Sequence, residues 1–362
     1  MLHLISADLP SDALALVGQL QRRLSSQGLH PPVLDLSGEG LLVGQDGGVK
    51  TVTVFQRWDA QLQTWGRIKP GLKDWLALLN LQEARLEHCP PLPGLTQVLQ
   101  CVALAEWLAA VAAGEPTAAS AQAGGNEPVV LLPPLNQALE LLELALTGPA
   151  LLDQWLDPLL LWWQETRQSL SRLDLVLRLN LPDAEALRLA PRWRQHLQHL
   201  AALLADPGGH ALLCVLDGGP LAATRLGDRL CQAYLRGFPP ARLWLTGPET
   251  AAARLVLEEI QGPMVLGHGP QLHQGGAELE AWLQQPCGVE VGLDWQLDQE
   301  QPIGRLLLPG LRKGLLQVKQ IDQSLMIQVG GSIRLVSLPE SLVGRQCIGA
   351  RISGRHLLLQ FQ

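Results

Sequence analysis

The chain has 362 residues, 47% of them hydrophobic and 17% charged, with a formal net charge of -7 at pH 7. This composition excludes an intrinsically disordered polypeptide and is typical of a globular protein with a large apolar core. The length favours more than one domain, and the negative net charge argues against nucleic acid as a partner.

The charge is unevenly distributed along the chain. Residues 302–362 contain eight Lys and Arg and two acidic residues, a net charge of +6, whereas residues 1–301 have a net charge of -13. This asymmetry indicates that the basic segment docks on the acidic one or faces an acidic partner.

The cysteines and the apolar segments indicate the cellular compartment in which the protein is expected. The six cysteines form no C-x-x-C pair, as expected for reduced thiols of a cytoplasmic protein. The amino terminus lacks the basic and apolar regions of a signal peptide. The most apolar window, near residues 135–163, is interrupted by acidic residues, Gly148 and Pro158, so we expect no stable membrane insertion.

The chain begins with a βαβ pattern. Leu2–Ile5 predicts a strand, Ser11 is placed to cap a helix that ends at Gly28, and Pro32–Leu36 predicts a second strand. Two strands joined by one helix lie parallel, with a right-handed crossover. The predicted fold class is therefore α/β, with a parallel sheet flanked by helices.

The loop after the first strand differs from a nucleotide-binding loop. Such loops carry glycines and a lysine that bind phosphate, and this one has neither. Asp8 would repel a phosphate, and Pro10 has no N–H to donate. Ser11 could bind an anion at the helix start, although capping is the favoured role. No nucleotide, metal or other cofactor is predicted at this degenerate phosphate loop, which consists of Ser6, Ala7, Asp8, Leu9, Pro10 and Ser11.

A buried strand follows a predicted flexible insertion. Residues 114–128 are rich in Ala, Gly and Ser, which is typical of a linker. Val129–Leu132 predicts a strand buried on both faces. The strand ends at Leu132, Pro133 and Pro134, none of which can hold a metal or move a proton. No catalytic residue is predicted there.

An apolar stripe follows within a predicted helical subdomain near residues 135–205. Most of its members recur every three or four residues, with the polar Thr166 at one such position and with Trp155 beside them. Asp157 with Pro158 predicts a restart of the helix within it. One interpretation is a groove for an apolar helix of a partner protein. The other, which the pattern alone favours, is core packing or a subunit interface. The apolar stripe consists of Leu152, Trp155, Leu156, Leu159, Trp163, Leu170, Leu173 and Leu177.

Further strands extend the alternation of strands and helices, at residues 211–216, 242–245 and 264–266. A helix over residues 188–205 carries His196 and His199, which have no third metal ligand nearby. His268 is predicted in a loop without a neighbouring acid or nucleophile. No metal site and no catalytic histidine are predicted.

From residue 303 the pattern changes to short strands separated by turns, with no helix. Residues 302–362 therefore predict a small all-β sandwich module, separate from an α/β domain over residues 1–301. The predicted strands are residues 315–321, 325–329, 333–336, 348–352 and 357–361.

Together these features resemble the ArsA-type ATPases, which include the arsenite-pump motor and the targeting ATPases of tail-anchored proteins. In residues 1–301 the resemblance rests on the βαβ start, the step Leu92-Pro93-Gly94-Leu95 into a helix, the strand Val129–Leu132 and the apolar helices after it. The β module resembles the α-crystallin-like (small heat-shock protein) domain of the bacterial and plastid branch. That part of the resemblance is carried by Leu308-Pro309-Gly310, Val329-Gly330-Gly331, Arg334–Pro339 and Gly349-Ala350.

The resemblance implies a P-loop NTPase-like fold, ATP with magnesium, and a symmetric homodimer. It also implies two lysines in the phosphate loop, an aspartate after the second strand and a switch aspartate after the next core strand. This chain has Ser6–Pro10 in place of the phosphate loop and Leu132 with two prolines in place of the switch aspartate. Asp35 lies near the position of the other aspartate.

These departures predict a pseudo-ATPase, a non-catalytic relative that binds an apolar helical segment or a protein partner at the apolar stripe, as chaperones and targeting factors do. The alternative is an ATPase that binds and hydrolyses ATP at an unconventional site. A further alternative is a scaffold that assembles through an edge strand of the β module.

Overall fold

The computed structural model describes residues 1–29, 31–37, 51–54, 95–113, 127–177, 191–247, 254, 257–258, 262–269, 272, 276–288, 293–298 and 302–362. The predicted insertion, apart from residues 127 and 128, and the step before Leu95 lie outside the described residues. The chain divides into two compact units. The first unit comprises residues 1–31, 129–139 and 210–362, and the second comprises residues 32–128 and 140–209.

The elements are numbered in chain order. The strands are β1 (Leu2–Ala7), β2 (Val33–Asp35), β3 (Thr51–Val54), β4 (Val129–Leu131), β5 (His210–Asp217), β6 (Arg242–Thr246), β7 (Val265–Gly269), β8 (Trp295–Leu297), β9 (Ile303–Leu307), β10 (Leu316–Ile321), β11 (Ser324–Val329), β12 (Ser332–Ser337), β13 (Cys347–Ser353) and β14 (His356–Phe361). The helices are α1 (Pro10–Ser26), α2 (Leu95–Ala112), α3 (Leu135–Leu151), α4 (Asp157–Leu177), α5 (Pro191–Ala205), α6 (Pro220–Leu235) and α7 (Gly276–Gln284). A π-helical turn, Leu152–Leu156, joins α3 to α4.

The first unit contains a parallel sheet with the strand order β4-β1-β5-β6-β7. Leu4 of β1 aligns with Val130 on one side and with Leu212 on the other. Every residue of β1 and β4 is buried, because neighbouring strands and packed helices leave neither face exposed to water. The predicted α/β class, with a parallel sheet flanked by helices, is confirmed.

Helix α1 begins one residue earlier than its predicted cap. Pro10 occupies the first helical position, where its fixed φ suits a helix and its missing N–H costs nothing. The cap position therefore falls on Leu9, which makes no side-chain capping bond. The prediction that Ser11 caps this helix is wrong, since Ser11 lies inside the first turn. The buried apolar face of α1 consists of Ala13, Leu16, Val17, Leu20 and Leu24.

The second unit combines a parallel strand pair, β2 and β3, with helices. Helix α2 packs against α5. The side-chain amide of Gln100 on α2 donates a 2.8 Å hydrogen bond to the carbonyl of Leu36, just after β2. This buried bond fixes α2 against the end of the strand.

The carboxyl-terminal segment folds into two antiparallel sheets, β10-β11-β12 and β13-β14-β9-β8. All five strands predicted for this segment are present. Two strands of the second sheet, β8 and β9, were not predicted. Strand β8 precedes residue 302 and pairs with β9. The apolar core of this β module includes Leu325, Ile327 and Phe361, and it incorporates Tyr234 and Leu235 of α6. The basic module is therefore packed against a helix of its own unit.

Two glycines allow this close packing. Gly310, in the turn after β9, lies against Gly227 of α6, and a Cβ on Gly310 would lie 2.5 Å from the carbonyl oxygen of Gly227. Gly310 also has a φ of +77°, a conformation that residues with a side chain rarely adopt.

We expect Gly310→Ala to lower the free energy of unfolding by about 1–3 kcal/mol, because the added methyl group meets backbone and the left-handed φ becomes strained. Gly314→Ala is the matched control, since a Cβ there meets nothing within 4 Å. The control should change stability by less than about 0.5 kcal/mol in urea denaturation. Equal effects of the two substitutions would contradict this account of the docking.

Candidate apolar binding site

The connection between β1 and α1 is shorter than predicted. Ser6 and Ala7 belong to β1, and Pro10 and Ser11 belong to α1, so Asp8 and Leu9 alone form the connection. The hydroxyl of Ser6 is buried and donates a 2.9 Å hydrogen bond to the carbonyl of Pro133. Pro10 at the first position of α1 has no N–H, so the start of this helix has one donor fewer for an anion.

Asp8 forms an ion pair with Arg229 of α6. The two guanidinium nitrogens of Arg229 donate to the two carboxylate oxygens of Asp8, at 2.6 and 2.7 Å. The N–H of Asp217 donates a further bond of 2.9 Å to the same carboxylate. Burial acts to lower the pKa of Arg229, but the hydrogen bonds and charge of Asp8 raise it overall. The negative charge that was expected to repel a phosphate is thus paired within the protein.

We expect Arg229→Met to lower the free energy of unfolding by about 2–4 kcal/mol, because it leaves the largely buried carboxylate of Asp8 without its partner. Adding Asp8→Leu should recover part of that loss. The control is Arg305→Met, which breaks a more exposed pair with Asp298 and should cost at most about 1 kcal/mol. Similar losses for Arg229→Met and Arg305→Met in urea denaturation would contradict a larger contribution of the Asp8–Arg229 pair to the free energy of unfolding.

Asp35 and three histidines are the other ionisable residues that the sequence singles out. The buried carboxylate of Asp35 accepts bonds from the N–H and the hydroxyl of Ser37, two residues later. His196 and His199 lie on α5. The predicted loop position of His268 is wrong, since it is an exposed residue within β7. Within the described ranges, no three His, Cys, Asp or Glu side chains come together as metal ligands.

An apolar pocket of about 610 Å³ lies among the helices of the second unit. Four helices and the π-helical turn contribute to it, and no charged side chain is part of its lining. Helix α2 supplies residues at i, i+3 and i+4, which form one helical face. The lining residues are Val98, Cys101, Val102, Leu144, Gly148, Leu151, Leu152, Trp155, Leu156, Leu159 and Leu197.

The π-helical turn shapes one side of this pocket. It lies directly before Pro158, which has no N–H and so cannot make the bond to the residue four positions earlier. Leu151 and Asp157 keep helical backbone angles on either side of the turn, so the helix widens here without breaking. The predicted restart at Asp157 coincides with the start of α4. Gly148, one turn earlier, contributes no side chain to the space.

Half of the apolar stripe lines the pocket. Leu152, Trp155, Leu156 and Leu159 do so, whereas Trp163 is half-buried on α4 outside the lining. The side chains of the other three members, Leu170, Leu173 and Leu177, lie outside the described part of the structure.

Sequence reasoning missed the lining residues on α2, α3 and α5. Helix α2 is apolar around most of its circumference, so periodicity gives no single face. Leu197 lies on α5, far along the chain from the stripe. Only the tertiary packing of the second unit identifies these residues as neighbours.

Cys101 is the one thiol in the lining, and burial raises its pKa to about 12. The thiol therefore stays protonated and uncharged near neutral pH. Outside the pocket, Arg194 of α5 contacts Asp153 at 3.4 Å and Asp157 at 2.9 Å. This ion-pair cluster ties α5 to the π-helical turn and α4, while the pocket itself stays apolar.

The apolar surface continues beyond the pocket. Trp155 is 73% exposed although it contributes to the lining, and Trp162, three residues after Leu159 on α4, is also exposed. Large exposed apolar groups that adjoin a pocket are typical of interaction sites. None of the helices in the described part of the chain combines the length and apolar character that crossing a membrane requires.

Part of the chain is similar to a family of known proteins. Residues 302–361 match the family model of the HSP20-like domain found in ArsA. No curated protein matches the chain. The family match covers strands β9 to β14 of the β module, and it indicates a relationship between this module and the HSP20-like domain of ArsA-type proteins.

Proposed function

We propose that this protein is a non-catalytic relative of the ArsA-type ATPases that binds an apolar helical segment of a partner protein. The binding site is the pocket formed by α2, α3, the π-helical turn, α4 and α5. The observation that carries the proposal is an open pocket of about 610 Å³ lined by apolar side chains.

The size and lining of the pocket support this ligand class. Its volume lies within the roughly 300–1,000 Å³ typical of ligand sites. The exposed groups Trp155 and Trp162 extend the apolar surface beyond the pocket, which favours an occupant longer than a small molecule. An amphipathic or apolar helix in a groove between helices buries such a surface without leaving backbone groups unpaired.

Exposure of the stripe supports partner binding over core packing. A core tryptophan is expected to be mostly buried, yet Trp155 is 73% exposed and Leu159 is 43% exposed. A subunit interface would also cover these residues. The binding experiment below distinguishes a subunit interface from a site for a partner protein.

The side-chain contacts at the carboxyl edge of the parallel sheet support the proposal that the protein is not a catalyst. The connection after β1 has two residues, its carboxylate is paired with Arg229, and Ser6 is committed to the carbonyl of Pro133. Phosphoryl transfer depends on positioning and charge stabilisation, which need a phosphate cradle, a lysine and a metal-holding acid. A nucleotide at this edge would first have to displace Asp8 from its ion pair.

We expect a fluorescently labelled apolar helical peptide to bind saturably to the full-length protein. Leu159→Glu should weaken binding by at least about tenfold, because a carboxylate in an apolar pocket loses its hydration. Leu161→Glu is the matched control, since Leu161 is an exposed leucine of the same helix that does not line the pocket.

Fluorescence anisotropy measures both affinities, and circular dichroism confirms that each variant folds. Absence of saturable binding, or equal losses of peptide affinity for the two variants, would contradict the proposal. Concentration-dependent dimerisation that Leu159→Glu abolishes, without peptide binding, would show that the surface is a subunit interface.

We expect ATP with magnesium to leave the melting temperature unchanged. A specific ligand at 100 times its dissociation constant would stabilise the folded state by roughly 2.7 kcal/mol, a shift that thermal denaturation readily detects. ADP and a buffer with magnesium alone serve as controls. A saturable, ATP-dependent stabilisation would favour the alternative of an ATPase with an unconventional site.

A further inference from the structure

The π-helical turn changes which side of α4 faces the pocket. A π turn contains one residue more than an α-helical turn, and one residue of an α-helix corresponds to a rotation of about 100°. The helix continues across the turn, because Leu151 and Asp157 keep helical backbone angles on either side of it. The side chains of α4 are therefore rotated relative to α3, compared with their directions in an uninterrupted α-helix.

The burial of α4 fits this rotation. Leu144 of α3 lines the pocket, and Trp162 follows it by a whole number of turns when each turn has about 3.6 residues. In an uninterrupted α-helix Trp162 would thus point into the pocket, and Leu160 would point to the opposite side of the helix. The structure shows the reverse, since Leu160 is 4% exposed and Trp162 is 57% exposed.

Pro158 gives this rotation a local cause. In a regular α-helix the proline ring would clash with the carbonyl of the residue four positions earlier, which is Gln154. Gln154 lies within the π-helical turn, so the helix is wider at the carbonyl that the proline obstructs. The turn therefore accommodates Pro158 without ending the helix.

We propose that Pro158 is a positioning residue that maintains the π-helical turn and so directs Trp162 outward, as a contact for the bound partner at the side of the pocket. In a continuous α-helix the indole of Trp162 would fill the pocket and Leu160 would be exposed. The role of Trp162 as a partner contact rests on the proposed function. The rotation of α4 does not depend on any ligand.

The first test measures the exposure of Trp162 in the full-length protein labelled with fluorotryptophan. Its fluorine NMR signal is the one that Trp162→Phe removes, and a soluble paramagnetic agent broadens the signals of exposed residues. We expect broadening of the Trp162 signal in the wild-type protein and loss of that broadening in Pro158→Ala, because the straightened helix turns the indole into the pocket.

Pro149→Ala is the matched control. Pro149 lies within α3, and the carbonyl four positions before it, that of Ala145, belongs to the regular helix and not to the π-helical turn. The control removes a proline from the same helical segment, and the Trp162 signal should stay exposed.

The second test measures the affinity for the labelled apolar helical peptide by fluorescence anisotropy. Pro158→Ala should weaken binding at least about tenfold, a difference of about 1.4 kcal/mol, because the indole occupies the space that the peptide needs. Adding Trp162→Ala to Pro158→Ala should recover part of the affinity, since alanine leaves that space open. Pro149→Ala should leave the affinity unchanged.

The two tests fail separately, provided that circular dichroism shows folded variants. The proposal is wrong if Trp162 stays exposed in Pro158→Ala, if Pro149→Ala protects it equally, or if Pro158→Ala binds the peptide as well as the wild-type protein does. Failure of the peptide to bind the wild-type protein would contradict the proposed function and the role of Trp162 as a partner contact. The fluorine signals would still decide whether Pro158 sets the rotation of α4.

Discussion

The structure of the first unit depends on helix α6, which serves two sets of contacts at once. Cys231, Tyr234 and Leu235 enter the core of the β module, and Gly227 lets the turn after β9 approach the helix backbone. From the same helix, Arg229 reaches the connection after β1. The two buried faces of α6 require apolar side chains, and a charge that is largely buried on the helix must be paired. The ion pair with Asp8 meets that requirement.

This arrangement has a chemical consequence for the carboxyl edge of the parallel sheet. In open α/β sheets that edge usually carries the polar groups that bind ligands. Here Asp8, Arg229 and Ser6 bind one another or the backbone, and they stabilise the fold. An incoming anion would leave Asp8 buried without its partner, which costs several kcal/mol. Filling the apolar pocket of the second unit requires no such rearrangement, which is why we propose it as the binding site.

The sequence predicts the parallel sheet well because strands buried on both faces are mostly apolar, as β1 and β4 are. It predicts the β module equally well because turns and alternation recur along the chain. It misplaces the cap of α1, since Pro10 takes the first helical position ahead of Ser11. The stripe yields four of the eleven lining residues, because periodicity reports one helix at a time. The other seven lie on α2, α3 and α5, whose neighbours are set by tertiary packing and not by local pattern.

The pocket itself needs a physical explanation, because protein interiors are normally packed to the density of organic crystals. Space left between apolar side chains forfeits dispersion contacts and burial that a larger residue would supply. In this chain the space is maintained by Gly148, by the widened turn before Pro158, and by Arg194, which holds α5 against that turn from outside. These features keep the lining free of charge while the polar contacts stay outside it. A ligand that fills the space makes the dispersion contacts that the empty pocket forfeits. These contacts contribute to its binding free energy and so stabilise the liganded protein.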